Sequence, residues 1–221
     1  MHTKRISIGK GKKPRWFAII RAGSQKKENS LTMLYILRDV LKYADNSREA
    51  SRILNNGLVS VNKKVIKEPN YTAGLMDVVE ILKVGKYYRI LPSGKGPKLR
   101  EITEQEAKIK PCRIVNKQSV KNGKIQLNLH DGTTLLIEKN TFKTKDTLIL
   151  EIPSRKIKEV LEYKKGNVAL ICQGRHSGET GVISQITEGT ESGKSKTKVG
   201  DIETMTDYVF VIGKEKPLIA I

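Results

Sequence analysis

Three groups of cations stand out by type and spacing: Arg38 with Lys42, Arg48 with Arg52, and Lys63 with Lys64 directly after Asn62. Spacing of four places both side chains of a pair on one face of a helix, and cations held on a rigid face suit the phosphates of a folded polyanion. Other chemistry is scarce. His2, His130 and His176 have no partners at metal-ligand spacing, so neither a metal site nor a cofactor is expected. Cys112 and Cys172 lie far apart with no CxxC neighbour and read as buried free thiols. The string Gly189 to Ser195 imitates a phosphate-binding loop, but it has 3 residues between its glycines where that loop has four, and it lacks the flanking strand and helix. Asn70-Tyr71-Thr72 matches a glycosylation acceptor only incidentally. No nucleophile has a positioned base, so no enzymatic activity and no small-molecule substrate is expected.

The charge balance agrees. Lys and Arg total 42 against 23 Asp and Glu, a net charge of +19 over 221 residues, and a field of that sign favours nucleic acid first and an anionic membrane surface second. Aromatic residues make up 5%, which disfavours a platform for stacking single-stranded bases and leaves recognition of folded RNA by its shape. An apolar content of 38% excludes disorder throughout. No apolar run approaches the ~18 residues of a membrane span, and the N-terminus lacks the apolar region of an export signal, so a cytoplasmic protein is expected.

The elements that would position these cations are legible in outline. Met33, Leu34, Leu37, Val40 and Leu41 form one helical stripe from Ser30, with Arg38 and Lys42 opposite. A second helix runs from Ser47, read as its N-cap, to Gly57, with Arg48 and Arg52 facing away from Ala50, Ile53 and Leu54. Period-two stretches around Val59, Val61, Val65 and Ile66 and from Asp77 to Leu82 add a small sheet, with Asn62, Lys63 and Lys64 as a basic turn. Beyond Tyr87, apart from a capping box at Thr103 and Glu106, the pattern is one of short strands, with hairpin signals of type I′ at Asn122-Gly123 and Asp131-Gly132. Thr187 to Gly200 reads as a long mobile loop and Tyr208 to Ile212 as a closing strand.

Residues 1 to 27 hold nine basic residues and no acid: Lys4, Arg5, Lys10, Lys12, Lys13, Arg15, Arg21, Lys26 and Lys27. Such a tail orders only against a counter-charged surface. Within it, Trp16, Phe17, Ile19 and Ile20 either anchor the tail on the folded body or leave Trp16 to stack on a base.

The run from Asn46 to Ile66, with Ser47-Arg48-Glu49-Ala50, Gly57, Val59, Val61-Asn62 and Lys64, resembles the small RNA-binding module named after ribosomal protein S-four. Gly166 to Ile171 followed by Gly174, Gly178 and Gly181 is similar to the KOW motif of ribosomal and transcription-elongation proteins, which implies RNA contacts at Gly174, Arg175, His176 and Gly178. Together with YTAGLMDVVEI, REITEQEAKIKPCRI and a final FVIGK, the order of parts resembles the archaeal and eukaryotic small-subunit ribosomal protein S-four-e family, and the length points to an archaeal member. Leu75-Met76-Asp77 stands where the wider class of modules often turns with Gly-Asp.

The resemblance implies an α+β chain in four parts: a basic tail (1–29), an S-four-like module (30–86), a central β-rich domain (87–163), and an SH3-like barrel with a closing strand (164–221). It implies a structural component of the small ribosomal subunit in the cytoplasm, partnered by ribosomal RNA and neighbouring ribosomal proteins, without self-association or membrane binding. A transient assembly or elongation factor is the alternative. A pseudouridine synthase would need a catalytic domain that the strand-rich remainder does not suggest.

Overall fold

A computed structural model describes residues 18–21, 23, 25, 29–120, 123–138, 141–189 and 194–220. The chain forms two compact units. The first comprises the described residues up to Lys110 together with Ile152–Arg155; the second comprises Pro111–Glu151 and Lys156–Ile221.

The first unit begins with β1 (Leu31–Thr32), α1 (Met33–Tyr35), a π-helical segment Ile36–Val40 and α2 (Ser47–Asn55). Then come β2 (Val59–Val61), β3 (Lys64–Val65), β4 (Thr72–Ala73), β5 (Val78–Ile81), β6 (Lys86–Leu91), β7 (Lys98–Ile102) and α3 (Glu104–Ala107). Strands β3-β2-β5-β6-β7 make one sheet, and β1 pairs separately with β4. The helices cover the sheet through Met33, Ile36, Leu37, Ala50 and Leu54, which share a core with Val59, Val79 and Ile90.

The first helix differs from its expected form. Instead of running from Ser30, the chain pairs Leu31 and Thr32 with Ala73 and Thr72, and the Thr32 hydroxyl then caps α1 by accepting from the Tyr35 amide. The turn widens so that the Leu41 amide reaches the Ile36 carbonyl, and Lys42 takes a left-handed φ of 56°. The chain is thereby redirected and Ala44 is buried, 4% exposed. Lys42 accordingly terminates the helix rather than sharing its face with Arg38.

α2 is defined by local signals. Its cap is Asn46, not Ser47: the Asn46 side chain accepts from the Glu49 amide at 3.0 Å, while Glu49 returns a carboxylate to the Asp45 amide and the Asn46 side chain. At the other end the Gly57 amide bonds the Leu54 carbonyl and the Leu58 amide bonds that of Ile53, a Schellman closure that needs a residue at positive φ; Gly57 has φ 71°. The capping box of Thr103 and Glu106 opens α3 as expected.

The second unit holds two five-stranded sheets. One is formed by β8 (Ile109–Ser119), whose first two residues belong to the first unit, with β9 (Ile125–Leu129), β10 (Thr134–Ile137), β11 (Thr147–Glu151) and β12 (Ile157–Leu161), in the order β10-β9-β8-β11-β12. The other contains β13 (Val168–Ile171), β14 (Thr180–Thr187), β15 (Lys196–Val199), β16 (Ile202–Met205), a 3-10 turn Thr206–Tyr208 and β17 (Val209–Gly213), ordered β16-β15-β14-β13-β17. Every pairing in this second sheet is antiparallel, and its first strand lies between its second and its last, the order of a small SH3-like barrel. The Arg113 guanidinium ties β8 to the chain entering β17 by donating to the carbonyls of Asp207 and Val209 at 2.7 and 2.8 Å. The fold is α+β, with most of its strands in antiparallel sheets.

Two turn expectations change. At Asp131-Gly132 only the glycine has positive φ, 76°, and the Asp131 carboxylate accepts from the Thr133 amide and hydroxyl, so an Asx-type turn replaces type I′. The two-residue type I′ turn occurs instead at Asn62 and Lys63, with φ 49° and 65°. Asn122 lies outside the described residues. The stretch expected as a loop from Thr187 to Gly200 contains β15, because Thr197 and Val199 alternate inward, 1% and 2% exposed, between outward lysines.

Candidate nucleic-acid interface

α2 presents its charged residues outward because its apolar ones are spaced to meet the core. Ala50 and Leu54 are buried, whereas Arg48 and Arg52 are exposed and form no ion pair among the described residues. With Ser47, Ser51 and Asn55 they line an open groove along the helix. Arg38, half-buried on the preceding π-helical segment, reaches this surface by donating from Nη1 to the Ser47 hydroxyl at 3.1 Å. Three of the expected cations are thus brought together on one rigid module. Lys42 is exposed at the end of the same helical segment, on a backbone turned left-handed.

The basic turn is a different matter. The Asn62 side chain points into the fold, donating to Asp77 at 2.8 Å and accepting from the Val78 amide at 3.0 Å. Lys63 pairs with Glu80 at 3.0 Å, and its ammonium lies 5.0 Å from the centre of the Tyr87 ring. Of the three, only Lys64 is exposed. Beneath this turn the Asp77 carboxylate, 3% exposed, accepts from Asn62 and Lys110 on one oxygen and from the Gly74 amide and Gln25 on the other. Lys110 is itself buried, and its ammonium approaches Asp77 to 2.6 Å. The sequence signal for this centre was Leu75-Met76-Asp77, noted only as a departure from a pattern.

Of the tail, Arg21 is exposed and pairs with Glu68. Lys4, Arg5, Lys10, Lys12, Lys13, Arg15 and Trp16 lie outside the described residues. Another cation is spent inside: burial pulls the Arg89 guanidinium down to about 10, and its Nη2 donates to the carbonyls of Glu106 and Ile109, closing the end of α3.

In the second unit, the turn between β13 and β14 carries Gly174 and Gly178 at φ 91° and 95°. The Gly178 amide is already given to the Ile171 carbonyl at 2.8 Å, so it shapes the hairpin. His176 meets Glu179 at 3.1 Å, while Arg175 is exposed and has no partner among the described residues. Cys172 is buried, and that burial pushes its thiol up to about 12.

Cys112, His130 and Asp131 come close enough together to suggest a metal site, a grouping that sequence spacing did not reveal. Their donor atoms are committed, however. The His130 Nδ1 accepts the Arg113 amide, and the Asp131 oxygens accept from Thr133 and from the Cys112 thiol. The His130 ring also packs edge-on against Phe210. A hydrogen-bond cluster within the core describes these residues better than a ligand set.

Comparison with known proteins points the same way as the exposed cations. The profile described as "Ribosomal family S4e" matches residues 84–157, and that of the S4 domain matches residues 36–79, which include α2 and the turn after it. The chain is 39% identical over 227 residues to "Small ribosomal subunit protein eS4" of Methanocella arvoryzae, covering 99% of this chain and 96% of that protein. It is 40% identical over 220 residues to the protein of the same name from Methanothermobacter thermautotrophicus, covering 95% and 89%. Its fold matches the crystal structure of the 30S ribosomal protein S4e from Thermoplasma acidophilum with a TM-score of 0.76 at 37% identity, over 85% of this chain and 97% of that one. An S4 domain displaying unpaired arginines, followed by strand-rich sheets and aligned with these relatives along nearly its whole length, belongs to the ribosomal protein S4e family.

Proposed function

We propose that this protein is a structural constituent of the small ribosomal subunit, binding ribosomal RNA chiefly through the outward face of α2. The observation that carries this reading is that Arg48 and Arg52 stand exposed, without acidic partners among the described residues, on a well-capped helix, with Arg38 drawn to the same surface. Each phosphate neutralised by such a side chain releases condensed counterions, so affinity falls steeply with salt. The names of the relatives support the ribosomal setting. No helix among the described residues is long and apolar enough to cross a membrane.

Secondary contacts are assigned to the basic tail, to Lys42 and Lys64, and to Arg175 in the turn of the KOW-like barrel. In this reading residues 1–29 act as tail, the module that begins at residue 30 as the RNA-binding module, and residues 164–221 as a second RNA-binding module. The sheet β3-β2-β5-β6-β7 carries the first module past the expected boundary at 86, so that the spacer begins later than residue 87. Neighbouring ribosomal proteins are the other partners, and the cytoplasm is the site of action. A factor that joins the subunit only transiently is the alternative, and sedimentation separates the two. A constituent stays with purified small subunits through a high-salt wash, whereas recovery of the chain only in the wash would overturn the structural assignment.

A further inference from the structure

The Arg38 guanidinium is held from two sides. Its Nε and Nη2 both donate to Oδ2 of Asp39, at 3.0 and 2.9 Å, and its Nη1 donates to the Ser47 hydroxyl at 3.1 Å. Sequence neighbours on a helix do not ordinarily face each other. The Arg38 side chain therefore has to bend toward Asp39, and the same guanidinium then bridges to the first residue of α2. A guanidinium carries five N–H groups, and three are used here, which leaves two. Ser47 in turn lines the α2 groove beside Arg48 and Arg52. An arginine is costly to immobilise because its stem is long, and these two acceptors have already immobilised it in the free protein.

We propose that Asp39 and Ser47 are positioning residues for RNA: they hold Arg38 at the head of the α2 groove with two N–H groups free for the oxygens of one backbone phosphate. The inference rests on the reading of α2 as the RNA-binding face. It assigns an acidic residue a favourable role in binding a polyanion, opposite to what its charge alone predicts. If Asp39 merely neutralised Arg38, removing its charge would raise affinity. If it orients Arg38, removing its charge lowers affinity.

The test measures binding of the full chain to a transcript of the Methanothermobacter thermautotrophicus small-subunit ribosomal RNA, with poly(U) as the unstructured control. Asp39→Asn should weaken binding to the transcript by about three- to tenfold, the scale of one charge-assisted contact. In an Arg38→Ala background the same change should leave affinity unaltered or raise it. Circular dichroism and thermal melting establish that each variant is folded. Should Asp39→Asn fail to fold, Ser47→Ala decides, since it removes one acceptor from an exposed position. Binding by the folded variant that equals or exceeds that of the parent overturns the proposal. Reversal of Arg48 and Arg52 to Glu that leaves binding to the transcript unchanged overturns the reading of the α2 face instead, so the two failures are distinguishable.

Discussion

Two basic stretches of the first unit, Arg48 to Arg52 on α2 and Asn62 to Lys64 in the turn that follows β2, look alike as strings of residues and are used in opposite ways. On α2 the cations are left to solvent, because Glu49, the acid in its first turn, is occupied with the Asp45 amide and the Asn46 side chain. In the turn, Asn62 and Lys63 are claimed by Asp77 and Glu80 from the neighbouring strand end. The count of 42 Lys and Arg therefore overstates the cations that the protein offers a partner. The available charge is what remains after the fold has taken its share.

The contrast breaks if changes to the inward set disturb RNA binding, or if changes to the outward set disturb stability. The largest effect is expected at the centre of the inward set. Asp77→Ala removes the carboxylate that the buried Lys110 ammonium meets at 2.6 Å, together with the acceptor for Asn62, the Gly74 amide and Gln25, and should cost about 3–5 kcal/mol of stability in denaturant unfolding. Next comes the outward set: reversing both Arg48 and Arg52 to Glu should weaken binding to a structured ribosomal RNA transcript by at least about tenfold, while stability shifts by no more than about 0.5 kcal/mol. Lys63→Ala removes a partly buried ion pair and should cost about 1 kcal/mol with RNA affinity unchanged; a clear loss of affinity would place Lys63 in the interface after all. The finest test extends the comparison to the second unit. Arg175→Ala should make the slope of log affinity against log salt shallower by about 0.7 to 0.9, the signature of one lost phosphate contact, whereas His176→Ala, whose ring already meets Glu179, should leave the slope unchanged.

What could be read from the sequence follows the range of the interactions involved. α2 was legible because its apolar spacing, its capping residues and Gly57 all lie within a dozen positions, although the cap falls one residue before Ser47. Its exposed arginines were legible for the same reason. Lys42 was misplaced because a widened helical turn carries no periodic signal, and a lysine in the left-handed region is something composition does not announce. The internal partners of Lys63 and Asn62 could not be read because Glu80 and Asp77 are brought to them by strand pairing across the sheet. The strand at Lys196–Val199 hid behind a polar composition, its two inward positions being a threonine and a valine. The orienting acid beside Arg38 was adjacent in sequence, and only the geometry gives it a purpose.

The first unit is not made from one continuous stretch of chain. Ile152 packs with Val78, Ile102 and Ala107, and its amide donates to the Lys108 carbonyl at 2.8 Å, so the first unit borrows a few residues that are encoded after Pro111–Glu151. During synthesis the RNA-binding module can acquire its helices and most of its sheet early, but the apolar cluster under α3 stays open until translation has passed Ile152. A nascent chain truncated before that point would present a fully written interface on an incompletely sealed body.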